Sequence, residues 1–148
     1  DHYGDGLLLL DIKSFAVKLL PENIHWHFHG YVDNQNLMSI YQKKPYHLFL
    51  NVSSSEGVPV SIMEAMSFGI PCIATDVGGT KEVVENYKNG ILLSSDFKPC
   101  DLARWIMVFK KMDETEYQRY RDNARLSWEE CYNADKNYCG FLKYLDDI

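Results

Sequence analysis

The sequence has no C-x-x-C pair, no run of Lys or Arg longer than two, and no apolar stretch that approaches the length of a membrane span. Each absence narrows the field. Cys72, Cys100, Cys131 and Cys139 lack the spacing of a zinc or thiol–disulfide site, so reduced thiols and no bridge are expected. Lys43–Lys44 and Lys110–Lys111 are the densest basic clusters against a net charge of -6. Phosphate-backbone binding needs concentrated cations, so nucleic acid is not expected as a partner. Runs such as Leu7–Leu10 fall far short of the roughly 20 apolar residues that cross a bilayer, and the opening residues carry no signal-peptide pattern. Internal repeats, low-complexity tracts and flexible linkers are also missing.

What is present is an ordinary globular balance, 46% hydrophobic against 24% charged over 148 residues, enough for one domain with a real core. The chain opens abruptly on the glycine turn Gly4-Asp5-Gly6, which reads as a cut through a larger protein. Leu7 to Leu20 reads as an amphipathic helix ended by Pro21. Ile24, Trp26 and Phe28 alternate with His25, His27 and His29, the period of a strand, stopped by Gly30. The three histidines form one polar strand face with no cysteine or carboxylate among them, so no metal site is expected. Asp33 and Asn34 cap a short helix through Lys43, and Tyr46 to Val52 is a second strand.

A polar loop, Ser53 to Gly57, leads through Pro59 into a nearly all-apolar helix closed by Gly69. Pro71 to Thr75 is a buried strand, Asp76 to Gly79 a turn, Thr80 the cap of a helix through about Glu85, and Ile91 to Leu93 a further strand. The rest is helical: Cys100 to Met112, Glu114 to Tyr132 and Ala134 to Leu145. Trp105, Trp128, Tyr132, Tyr138 and Phe141 are expected to pack these helices on the sheet. Short apolar strands alternating with helices predict an α/β fold, a doubly wound, Rossmann-like parallel sheet with helices on both faces. In such a sheet ligands bind at the carboxyl ends of the strands.

The residues that stand out at those ends are Glu56 and Glu64, eight positions apart. Between Pro59 and Phe68 only Ser61, Glu64 and Ser67 are polar, and their spacing puts them on one narrow side of the helix. A buried carboxylate is costly unless hydrogen-bonded. A vicinal diol such as a ribose would satisfy Glu64, and so would a buried Arg or the cap of a neighbouring loop. Glu56 is either an acceptor for sugar hydroxyls or an inert loop carboxylate. Gly57 permits close approach of a ligand, and the helix N-terminus favours an anion such as a diphosphate. Two acceptors flanking a diphosphate position make a nucleotide-sugar site physically sensible.

Ser55-Glu56-Gly57, the E-x₇-E pair, Glu64-Ala65-Met66 before Gly69-Ile70-Pro71, Ala74 to Gly79, Glu82-Val83-Val84 and Asn89-Gly90 resemble the donor-binding, C-terminal domain of retaining glycosyltransferases of the GT-B fold, the family 4 group. Gly4-Asp5-Gly6 and Gly30-Tyr31-Val32 fit as well. The resemblance covers roughly residues 3 to 95 and is loose over the helical tail. It implies that Glu56 contacts the donor sugar, with Gly57 and Val58 lending backbone N–H groups to its hydroxyls. Glu64 would hold the ribose diol and Val60 would border the diphosphate. Tyr31 and Val32 would read the base, and Gly4 and Gly6 would line the cleft. Pro59, where many relatives have a residue with an N–H, removes one donor.

The implied parent transfers a sugar, with retention and without a metal or other cofactor, from a nucleotide diphosphate sugar such as a UDP-sugar to a glycan or lipid-linked acceptor. The setting is bacterial O-antigen or capsule-like polysaccharide biosynthesis, in the cytoplasm or peripherally at the inner face of the plasma membrane. The diphosphate-clamping Arg and Lys and the acceptor-binding domain are expected before Asp1, so this fragment alone is expected to be inactive and, with a sheet edge exposed, to self-associate. Two other readings stay open: a non-catalytic nucleotide-binding module, and a GT-B epimerase or phosphorylase.

Overall fold

The computed structural model describes residues 1–146. The chain divides into two compact units, Asp1–Lys43 and Lys44–Ile148. The first is a β-α-β unit with a following helix: β1 (His2–Tyr3), α1 (Leu9–Leu19), β2 (Phe28–Gly30) and α2 (Asn34–Lys43). β1 and β2 pair in parallel. The strand expected from Ile24 shrinks to Phe28–Gly30, because β1 offers only two residues to pair with; Ile24 instead closes a turn, its N–H donating to Pro21 O. α1 ends as expected at the residue before Pro21, where Leu20 is extended. Its amphipathic reading needs correction. Ala16 is the one buried residue, and Leu10, Phe15, Val17 and Leu19 are exposed. α2 begins where the sequence placed it, with Asp33 accepting the N–H of Asn36. That bond holds the Asp33 carboxyl below its ordinary value.

The second unit contains β3 (Phe49–Asn51), α3 (Val60–Met66), β4 (Cys72–Thr75), α4 (Thr80–Val83), β5 (Gly90–Leu93), α5 (Pro99–Lys111), α6 (Glu114–Ser127), a π-helical turn (Trp128–Tyr132) and α7 (Ala134–Asp146). The strands lie in the order β3-β4-β5, all parallel, with Phe49 opposite Cys72 and Cys72 opposite Gly90. Alternation along β4 divides the core between two faces. Cys72 and Ala74 pack with Ile62 and Met66 of α3, Val83, Val84 and Ala124 of α6. Ile73 packs on the other face with Ile91, Leu93 and, from α5, Leu102, Trp105 and Phe109. The sheet is therefore parallel and covered on both sides, the doubly wound arrangement predicted. Burial pushes the Cys72 thiol up to about 12, which leaves it an inert packing group. Among the described residues no helix is long and apolar enough to cross a membrane, and no group of three or more metal-ligating side chains forms.

Local chemistry explains most boundaries. Gly69, with φ +64, ends the chain segment leaving α3, and Arg121 and Arg125 of α6 donate to the Phe68 and Ser67 carbonyls at that same end. Asp113 caps α6 by accepting the Glu116 N–H. Thr80 does not cap α4. Gly79 precedes the helix, and the Thr80 hydroxyl donates back to Val77 O at 2.7 Å, fixing the turn instead. α6 changes to a π-helical turn at Trp128, a step that nothing in the structure explains. Trp105, Trp128 and Tyr132 pack against the core as expected, whereas Tyr138 and Phe141 on α7 are 70% and 59% exposed.

Asn89 ties the helices to the sheet. It is 1% exposed; its Oδ1 accepts the Glu85 N–H, and its Nδ2 donates to Val83 O and Ser127 Oγ. Asn89→Ala strands buried polar groups of two elements. It is expected to cost about 2–4 kcal/mol in chemical denaturation, whereas a loss within experimental error would show the bonds to be replaceable.

Candidate functional site

The carboxyl ends of β3 and β4 are joined by side chains that turn one loop back on the sheet. Asn51 ends β3, and the Ser53 N–H donates to its Oδ1 at 3.2 Å. The Thr75 hydroxyl, at the end of β4, donates to Ser53 O at 2.7 Å and lies 3.4 Å from Asn51 O. Asn51 Nδ2 then donates to Glu56 Oε1 at 3.1 Å. The loop thus presents a half-buried carboxylate held by a neutral donor.

The turn after β4 forms its other wall. The Gly79 N–H donates to Gly57 O at 2.7 Å. A Cβ built on Gly78 would lie 1.8 Å from the Glu56 carbonyl oxygen, and one on Gly79 would lie 2.7 Å from Gly57 O. Gly78 also has φ +53, a conformation that side chains resist. Both glycines are therefore demanded by contact, which gives Asp76-Val77-Gly78-Gly79 a role as the floor beneath Glu56 and Gly57.

From this loop Pro59 enters α3 in an extended conformation. The helix is less enclosed than its composition suggested. Ile62, Ala65 and Met66 are buried, but Val60 is 60% exposed and Ser61, Glu64 and Ser67 are half-buried. Seven residues cover one sheet face and leave the opposite side open, so Glu64 escapes the full desolvation of a core carboxylate. Its carbonyl accepts the Ser67 hydroxyl. Arg121 and Arg125 are committed to the carbonyls that follow α3. A helix this short carries a weak dipole, so anion binding here cannot rest on α3 alone.

Glu56, Gly57, Val58, Val60 and Glu64 thus lie on one continuous loop–helix segment of the second unit. Gly57 and Val58 are exposed. In the first unit, the Gly4 N–H donates to Gly30 O, which joins the Gly4–Gly6 turn to the segment carrying the exposed Tyr31 and the half-buried Val32. A cavity of about 710 Å³ lies at the opposite end of β3, lined by His47, Leu48, Phe109, Tyr117 and Arg121, away from Glu56 and Glu64. Sequence reasoning missed Asn51 and Thr75 as partners of the loop. The available signal was a polar residue ending each of two apolar strands.

A doubly wound parallel sheet with its polar loop at the carboxyl strand ends defines an α/β domain of the kind that places ligands at those ends. The chain belongs to the family described as Glycosyl transferases group 1, whose profile matches residues 4–127. An O-antigen biosynthesis glycosyltransferase of Escherichia coli, WbnH, is 35% identical over 105 residues, covering 70% of this chain and 26% of that protein. The lipopolysaccharide 1,6-galactosyltransferase of Escherichia coli K12 is 33% identical over 86 residues, 57% of this chain and 23% of that protein. This chain therefore spans about a quarter of the curated relatives it matches. Among solved structures, Anabaena Alr3699/HepE in complex with UDP-glucose superposes with a TM-score of 0.77 at 23% identity, over 99% of this chain and 40% of that one. The shared architecture is that of the C-terminal half of a GT-B fold.

Gly78→Ala adds a methyl group into the backbone that carries Glu56, at a positive φ. The expected cost is about 2–5 kcal/mol with a lower Tm; an unchanged Tm would show that the loop is not held against the turn.

Proposed function

We propose that the chain is the donor-binding part of a retaining glycosyltransferase. The parent moves a sugar from a nucleotide diphosphate sugar, a UDP-sugar, to a hydroxyl of a glycan or lipid-linked acceptor in surface-polysaccharide assembly at the cytoplasmic side of the membrane. The observation that carries this reading is the Glu56 carboxylate, held by Asn51 on a loop walled by Gly78 and Gly79, with Glu64 in the helix that follows on the same segment. Family membership and the O-antigen and lipopolysaccharide relatives support it.

In this reading Glu56 accepts hydrogen bonds from the donor sugar, with the N–H groups of Gly57 and Val58 beside it. Glu64 accepts from the ribose diol, and the exposed Val60 borders the diphosphate. Tyr31 and Val32 meet the base, and Gly4 and Gly6 line its surroundings. The chemical demand is to stabilise the diphosphate as the anomeric bond breaks. Pro59 has no N–H to give and α3 is short, so most of that stabilisation falls to basic side chains of the full-length parent, and none to a metal. The acceptor hydroxyl attacks from the face that the diphosphate leaves, which retains the anomeric configuration.

The test is steady-state transfer by the full-length protein with EDTA present throughout. Glu56→Ala is expected to lower kcat, and Glu64→Ala to raise KM for the UDP-sugar, each by about ten- to a hundredfold, the worth of a hydrogen bond to a charged group. Transfer left intact by both substitutions would favour a non-catalytic nucleotide-binding module. Loss of wild-type transfer in EDTA would contradict the metal-free reading.

A further inference from the structure

We propose that Asn51 is a positioning residue that orients the Glu56 carboxylate toward the donor sugar. The inference rests on the donor-site reading above and assigns a residue outside the glutamate motif. Three observations support it. First, the amide cannot flip without loss: Oδ1 accepts the Ser53 N–H at 3.2 Å, which turns Nδ2 toward Glu56 Oε1 at 3.1 Å. Second, Asn51 is anchored from both sides. Its backbone lies in β3, paired with Ala74 of β4, and Thr75 grips the chain at Ser53 O. Third, the Glu56 backbone has no room to retreat, because Gly78 sits against its carbonyl.

The consequence is chemical. A carboxylate has two oxygens and accepts on both. With Oε1 engaged by a neutral donor, Oε2 has a fixed direction and is the oxygen offered to a sugar hydroxyl. Asn51 therefore aims the Glu56 carboxylate. Charged side chains on the elements packed around the loop are Glu64 on α3, Asp76 after β4, and Lys81 and Glu82 on α4. Glu82 Oε1 lies 3.3 Å from the Cβ position of Gly79.

Aiming separates from mere structural support by pH. Asn51→Asp places two carboxylates at hydrogen-bond distance. When both are ionised they repel and Glu56 loses its donor. When the pair holds one proton, an O–H replaces the N–H of Asn51, and such a pair takes up its proton well above the ordinary carboxylate range. Transfer by full-length Asn51→Asp, expressed relative to wild type at each pH, is expected to be about ten- to a hundredfold low at about pH 8 and to recover as the pH falls toward about 6. Asn51→Ala, which cannot recover, is expected to lower kcat by a similar factor at every pH while leaving inhibition by UDP alone unchanged. A variant-to-wild-type ratio that is flat with pH for Asn51→Asp, or wild-type kcat in Asn51→Ala, would overturn the assignment. Glu56→Ala in the same assay distinguishes the two levels. If it retains transfer, the donor-site reading fails; if it is inactive while the Asn51→Asp ratio stays flat with pH, only the role of Asn51 fails.

Discussion

The contact on which the rest of the site depends is the approach of the Gly78–Gly79 turn to the backbone of Glu56 and Gly57. One hydrogen bond, from the Gly79 N–H to Gly57 O, and one steric limit, 1.8 Å between a hypothetical Gly78 Cβ and Glu56 O, fix where the loop after β3 can lie. Backbone conformation and close packing are satisfied together only by glycine. Because the turn leaves β4 and the loop leaves β3, the parallel pairing of those strands sets the distance between them. The buried sheet therefore acts on the carboxylate through two loops and no long lever.

The rigidity has a physical rationale. A carboxylate meant to accept from hydroxyls in the transition state gains from being oriented beforehand, since alignment is then complete before the reaction begins. Glu56 is half-buried, aimed by Asn51 and walled by glycine. Glu64 is placed differently, on a short helix whose inner side is buried by Ile62, Ala65 and Met66 and whose outer side is open. One carboxylate is held by a loop and the other by a helix, and the proposed donor site gives them two chemically distinct ends of one ligand.

Much of this was legible in the sequence, and the failures have physical causes. Pro59 and Gly69 bracket α3 because one suits a helix entrance and the other takes the positive φ that a helix exit needs. The apolar runs around Ile73 and Ile91 mark strands covered on both faces. Strand lengths were overestimated at Ile24 and Tyr46, because alternation continues past the point where a partner exists to pair with. Thr80 looked like a cap, yet its hydroxyl serves the preceding turn. Tyr138 and Phe141 looked like core from their size, but helix position relative to the sheet decides burial, and periodicity does not encode it. The glutamate pair was visible as a motif. The contacts of Thr75 and Gly78 with its loop were not, since only strand pairing brings those chain positions together, whereas Asn51 stands just five residues before Glu56 and showed only as a polar end to an apolar strand.

The most direct measurement is the crystal structure of the full-length protein with an unreacted UDP-sugar. The account predicts sugar hydroxyls hydrogen-bonded to Glu56, with Asn51 still donating to its other oxygen, and the ribose diol on Glu64. A UDP-sugar bound with neither glutamate within hydrogen-bond distance would contradict it.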